Sequence, residues 1–211
     1  MNKINLVIVI CVLASVLWWL TGPSDIVTEY LAFSGENFFR GRMWTVVTGL
    51  FLHADLLHLG GNMLFLYVFG NTLENELKTM KTLLAFFVGG ILSFILGVFL
   101  YEPSTYVIGA SAAIFTLAAV VMLVKPLKFS ILFLMPQGLV AIIYFAYNVL
   151  AVHFGQQGNI AYISHVIGFI IGILFGMVWS KELVKNLLIT IGLFLIYLII
   201  VLVLVPSLIL S

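Results

Sequence analysis

The chain has 211 residues, 64% of them hydrophobic and 8% charged, with a formal net charge of +1. Soluble domains are about 45–50% apolar and about 25% charged, and a fold in water needs a polar skin that this composition cannot supply. A water-soluble domain is excluded, lipid is the natural solvent, and without a basic cluster no nucleic-acid partner is expected.

A membrane helix needs roughly 20 apolar residues, with a range of about 17–25. Seven such runs follow in chain order: Ile4–Leu20, Leu56–Leu73, Leu83–Leu100, Val107–Val124, Phe129–Val152, Ile160–Trp179 and Leu187–Val205. They predict an all-α, polytopic membrane helical bundle in which residues 1–211 form a single integral membrane domain. The first run has an alternative reading as a cleaved signal peptide with Lys3 as its positive end. Trp18-Trp19 at its far end favours a span, because tryptophan anchors at the interface, and no small-x-small cleavage site follows cleanly. Cys11 is the only cysteine, so no intramolecular disulfide can form.

The connections are short except for Thr21–Asp55. That segment mixes Phe33, Phe38, Phe39, Met43 and Trp44 with Asp25, Glu29, Glu36, Arg40 and Arg42. The mixture suits either a structure half in the headgroup region or an ordinary folded loop. Lys3, Lys78, Lys81, Lys125, Lys128, Lys181 and Lys185 fall in alternate connections, and only Arg40 and Arg42 fall opposite. By the positive-inside rule the N-terminus is cytoplasmic and the long segment is extracytoplasmic.

Strongly polar groups inside a membrane are costly, so each is a functional candidate. Four stand out: His58, Asn62, Ser111 and His165. Taking each helix from its outer end at about 1.5 Å per residue, His58 lies roughly 3 Å deep, Ser111 about 6 Å, His165 about 7 Å and Asn62 about 9 Å. Three helices distant in sequence thus put polar groups in one outer layer. His58 and Asn62 are four apart and share a helix face, and Phe115 sits one turn below Ser111. Gly168, Gly172 and Gly176 form a small-residue stripe that lets another helix approach, and Gly109-Ala110-Ser111-Ala112-Ala113 is a matching surface. Such packing would bring Ser111 and His165 together. Taken singly, a membrane serine usually bonds its own backbone, a membrane histidine usually packs or handles protons, and a glycine stripe is usually a plain seam. Metal binding by His53, Asp55, His58 and His165 is the rival reading of the layer, but no HExxH spacing occurs.

The stretch from Phe51 through His53, His58 and Asn62 to Gly70 and Glu74 resembles the second-helix signature of the rhomboid intramembrane serine proteases. Gly109-Ala110-Ser111-Ala112 resembles their GxSx nucleophile motif, and His165-Val166-Ile167-Gly168 with Gly172 resembles their HxxGxxxG motif. The resemblance runs from about Arg42 to Gly176 and implies a six-helix catalytic core, here 1–180, with residues 181–211 as an added seventh transmembrane helix. It implies Ser111 as nucleophile, His165 as general base, and Asn62 and His58 as oxyanion-hole donors beside the Ser111 backbone N–H. Gly109, Phe115 and Gly168 would support them. No cofactor and no metal are implied. The expected partners are the lipid bilayer and a transmembrane protein substrate, and the expected location is the cell membrane, with the site opening to the extracytoplasmic side.

Three positions depart from the family pattern. Ala112 stands where many members have glycine, Phe115 where many have tyrosine, and Trp44-Thr45 where the loop signature is Trp-Arg, with Arg42 two residues before Trp44. Phe115 can stack on the His165 ring but offers no hydroxyl. The sixth run contains no Asp or Glu, the nearest being Glu182. A Ser–His dyad is therefore expected, with Phe115 packing to fix the ring. Two other functions stay open: a non-proteolytic relative that binds membrane proteins, which usually lacks the serine or histidine, and a small transporter using His58 and His165. The second requires polar groups through the full membrane depth, whereas the inner halves of these helices are almost wholly apolar.

Overall fold

The computed structural model describes residues 2–22, 25–154 and 162–204. The predicted start of the sixth run at Ile160, the end of the seventh at Val205 and Pro23-Ser24 of the long segment lie outside the described residues. The chain is mainly helical: α1 (Ile4–Thr21), α2 (Asp25–Leu31), α3 (Gly35–Phe39), α4 (Thr45–Thr48), α5 (Leu56–Phe65), α6 (Asn71–Gly97), α7 (Ser111–Val124), α8 (Gln137–His153), α9 (Tyr162–Trp179) and α10 (Leu183–Ile199). Four helical runs are long and apolar enough to cross a membrane: Ile4–Thr21, Leu56–Gly97, Tyr162–Trp179 and Leu183–Leu202. α7 and α8 are apolar but shorter.

α7 is the hub. Every residue from Ala112 to Leu123 is buried, and α6, α8, α9 and α10 pack around it. Small residues set how near its neighbours come. A Cβ on Gly168 would overlap the Ala112 carbonyl oxygen, and one on Gly172 would overlap that of Thr116. Removing side chains from this seam lets two backbones touch, which is how helices gain dispersion contact where lipid competes for every apolar face. Thr116 crosses the seam and donates from Oγ1 to the Gly168 carbonyl at 2.8 Å.

Polar side chains tie down the helix ends. Asp55 caps α5, its Oδ1 accepting from the His58 N–H at 2.8 Å. The free N–H groups at the start of α1 are met by a distant carboxylate: Glu74 accepts from Lys3 and Ile4, both at 2.8 Å. The carbonyls ending α7 are met from beyond Trp179, where Ser180 Oγ and Asn186 Nδ2 donate to Leu123 O at 2.6 and 2.8 Å. α10 is thus fastened to the hub by hydrogen bonds as well as by apolar contact.

Several boundaries differ from the sequence expectation. The run Leu56–Gly97 carries a π-helical turn at Leu66–Gly70 and breaks at Lys78, where φ is 72° and ψ 164°. That break falls in the lysine-bearing connection predicted between the second and third runs. The fourth helix starts at Ser111, not at Val107. Val107 instead forms a β-bridge with Phe33, and Gly109 donates its N–H to Gly49 O at 2.8 Å. Gly109 has φ +113°, a region open to glycine and rarely to other residues. The fifth helix starts at Gln137 instead of Phe129, because Phe129–Ser130 and Met135–Pro136 pair as a short hairpin that reverses the chain.

The long segment is folded. Ser34 caps α3 by accepting from the Asn37 N–H at 3.1 Å. Arg42 pairs with Glu29 at 2.7 Å, donates to Asn37 Oδ1 at 3.1 Å and lies over the Tyr30 ring at 4.9 Å. Trp44 donates to Tyr30 O at 2.8 Å. Arg42 therefore supplies a cationic anchor beside Trp44, while Thr45 turns inward and donates to Arg42 O.

Candidate active site

Ser111 is the first residue of α7, so its backbone N–H is among those a helix start leaves unpaired. The turn that delivers it needs Gly109, since a Cβ there would come within 2.8 Å of His58 Nε2 as well as clash with its own positive φ. His165 lies in the first turns of α9 and is 3% exposed. The Gly168–Ala112 contact draws these two helix starts together, and His165 Nε2 lies 2.7 Å from Ser111 Oγ.

The His165 ring is gripped on several sides. Phe115 stacks on it with centroids 4.6 Å apart and planes 14° apart, and Tyr144 stacks on the far face of Phe115 at 4.3 Å. Tyr162 meets it edge-on at 6.3 Å. On the side away from Ser111, His165 Nδ1 lies 2.7 Å from Asn148 Oδ1 on α8. Its neighbour Ser164 is held by Tyr101, whose hydroxyl oxygen accepts from the Ser164 N–H at 2.8 Å.

His58 and Asn62 enter the same space from α5. Asn62 is buried and donates one amide hydrogen to the His58 carbonyl at 2.9 Å; its amide carries a second. His58 Nδ1 accepts from the Ala54 N–H at 3.3 Å, which puts the ring hydrogen of a neutral His58 on Nε2, the nitrogen turned toward Gly109. A cavity of about 190 Å³ joins these groups, lined by His58, Asn62, Ser111 and His165 with Leu57, Tyr144 and other apolar side chains. The four polar residues predicted to share a layer thus share one cavity.

His53 has other work. Its Nε2 accepts from the Ala110 N–H at 3.4 Å, Nδ1 is 3.1 Å from Ser15 Oγ, and its carbonyl accepts from Trp19 Nε1 at 2.8 Å. His53 therefore joins α1 to the turn before Ser111. Burial, with the neighbouring His58 adding to it, pushes His53 down from 6.5 to about 3, so the ring stays neutral and able to accept. Two members of the rival metal set are engaged otherwise: Asp55 caps α5 and His53 faces a backbone N–H, and no group of three or more His, Cys, Asp or Glu among the described residues is arranged to hold a metal ion.

Asn148 was not among the predicted site residues. A signal for it existed: it is an amide inside an apolar run, and it stands four residues before the predicted outer end at Val152, about 6 Å deep by the same arithmetic. Tyr101 gave no such signal, because it lies in a connection whose path the sequence does not reveal.

Comparison with known proteins agrees with this assembly of motifs. A rhomboid domain model matches residues 40–182. The chain is similar to Rhomboid-like protease 3 of Toxoplasma gondii, 39% identical over 72 residues covering 34% of this chain and 27% of that protein. It is similar to YdcA, a rhomboid protease candidate of Bacillus subtilis, 38% identical over 82 residues covering 38% of this chain and 41% of that protein. It is also similar to the chloroplastic Rhomboid-like protein 11 of Arabidopsis thaliana, 34% identical over 79 residues covering 37% of this chain and 28% of that protein. The matches thus span between 27% and 41% of those relatives' lengths. The domain match takes in α5 to α9 and every polar group around the cavity, and on that ground this chain belongs to the rhomboid family.

Proposed function

We propose that the chain is an intramembrane serine endopeptidase that cleaves transmembrane segments of other membrane proteins near the outer face of the bilayer. The observation that carries this reading is the 2.7 Å approach of His165 Nε2 to Ser111 Oγ at the wall of a cavity shared with Asn62 and His58. A serine hydroxyl is a weak nucleophile until a base takes its proton. In this reading His165 Nε2 takes that proton as Oγ attacks the peptide carbonyl carbon. The oxyanion is met by the Ser111 N–H, the second Asn62 amide hydrogen and the His58 Nε2–H. Such donors are worth about 100- to 1000-fold each. Nε2–H then protonates the leaving amine as the C–N bond breaks. Water, deprotonated by the same nitrogen, attacks the acyl ester, and Ser111 Oγ leaves with the proton.

The membrane setting is part of the proposal. Residues 1–211 form one integral membrane domain of seven spans, six in the catalytic core and α10 added, with the N-terminus in the cytoplasm. α7 has 14 residues and at about 1.5 Å each is roughly 21 Å long, less than the roughly 30 Å of a hydrocarbon core. A helix that short cannot reach both surfaces, and Lys125 directly after its last residue marks the cytoplasmic end, which supports a submerged Ser111 reached by water through an outward-opening cavity. Only buried or cavity-lining backbone survives irregular at that depth, and the stretch 107–110, bonded to Phe33, Gly49 and His53, satisfies that condition.

The test is cleavage of a single-span model substrate by purified protein in liposomes. Wild type should release the outer fragment, and Ser111→Ala and His165→Ala should each release none while keeping the wild-type melting temperature. Cleavage that persists in either variant contradicts the proposal.

A further inference from the structure

We propose that Asn148 is the positioning residue that fixes the tautomer and the ring angle of His165. This rests on the Ser111–His165 reading above. Asn148 is 1% exposed, and its amide has two neighbours: Nδ2 donates to the Tyr144 carbonyl at 2.8 Å, and Oδ1 lies 2.7 Å from His165 Nδ1.

The direction of the amide follows from its partners. A carbonyl oxygen can only accept, so the Asn148 atom facing Tyr144 O must be the NH₂. The atom facing His165 is then the amide oxygen, which can only accept too. His165 Nδ1 must carry the hydrogen, and in the neutral ring Nε2 is left with the lone pair. That lone pair points at Ser111 Oγ, as general-base catalysis requires. One backbone carbonyl of α8 therefore sets, through one amide, which nitrogen of a histidine on α9 is basic. Phe115 stacking alone does not do this, because a ring face does not distinguish the two nitrogens.

The device supplies the orienting function of a triad's third member without a charge. A carboxylate here would have to be desolvated in the bundle, whereas an amide with both ends bonded costs little. Asn148 touches neither Ser111 nor the reacting carbonyl in this scheme. It acts through His165.

The experiment compares wild type, Asn148→Leu, Asn148→Asp and His165→Ala as full-length protein in detergent. It measures kcat and KM for the model substrate, the rate of Ser111 labelling by a fluorophosphonate, and the ¹⁵N shifts of the His165 ring, identified by their loss in His165→Ala. Wild type should show Nδ1 protonated. Asn148→Leu should lose about 100-fold in kcat, the low end of what a positioned base contributes, with little change in KM, and should show mixed tautomers. Asn148→Asp, which this dry position keeps as the neutral acid, can donate its O–H to the Tyr144 carbonyl and accept from Nδ1–H with its other oxygen, and should recover most of the rate and the Nδ1–H signal. A wild type protonated on Nε2 would overturn the inference. So would Asn148→Leu with wild-type kcat and tautomer, or equal losses in both variants. A wild type that does not label, yet holds an Nδ1–H signal that Asn148→Leu loses, would overturn the protease reading and support the positioning role.

Discussion

The seam between α7 and α9 makes a sharp prediction, because two glycines of this chain should respond oppositely to the same added methyl. A Cβ on Gly168 would overlap the backbone oxygen of Ala112, which has no rotamer to escape into. The helices must then part by on the order of 1 Å, and displacement of that size at a reacting centre costs about 100-fold in rate. Overpacking itself costs about 1–3 kcal/mol. The damage has a direct route to the chemistry: Ala112 follows Ser111, and Gly168 lies one turn after His165 on α9. On α5, a Cβ at Gly60 would meet nothing within 4 Å, so Gly60→Ala should stabilise the helix by up to about 1 kcal/mol. Thermal unfolding in detergent and the rate of fluorophosphonate labelling measure both effects. Gly168→Ala should melt earlier and label about 100-fold more slowly, while Gly60→Ala should melt no earlier and label normally. Wild-type melting and labelling in Gly168→Ala would refute the close-seam account.

Asn62→Ala should lower kcat about 100- to 1000-fold and leave KM near its original value, since in the proposed mechanism the donor acts on charge that develops in the transition state. Glu74→Gln should cost about 1–3 kcal/mol in thermal unfolding, because it turns an amide toward N–H groups of Lys3 and Ile4 that need two acceptors. His53 should make stability fall with acid. Its folded value of about 3 lies below the ordinary 6.5, so the unfolded chain takes the proton first, and the contribution is complete above pH 6.5 and lost between 6.5 and 3. His53→Gln keeps an acceptor for Ala110 but does not titrate, so its melting curve should lose less stability than wild type over that interval.

How much was legible follows from what each residue must do. Ser111, His165, Asn62 and His58 stood out because polarity inside an apolar run needs a reason, and their spacing placed them in one layer. The Gly168–Gly172–Gly176 stripe was legible because only a close neighbour explains missing side chains at helical spacing. The start of the fourth helix was not. Val107-Ile108 is as apolar as the helix that follows, and what keeps it out of that helix is the pairing of Val107 with Phe33 and of the next residue, Gly109, with Gly49, both from a distant part of the chain. The hairpin between Phe129 and Pro136 lay inside a run read as apolar, and its signals were Ser130 and the breaker Pro136-Gln137-Gly138, after which the helix begins. The long segment was ambiguous because its order depends on Arg42 and Trp44 meeting Glu29 and Tyr30 across 12 or more residues of chain. Asn148 was visible by the rule that found the others, yet its partner was not, since nothing in the run marks which helix its amide faces.

The central claim is that His165 activates Ser111. Covalent labelling of Ser111 by a fluorophosphonate, located by peptide mass and compared between wild type and His165→Ala at equal fold stability, tests it most directly. The account predicts stoichiometric modification of Ser111 in wild type and none in His165→Ala on the same timescale. Equal labelling in the two proteins, or modification at a residue other than Ser111, would contradict it.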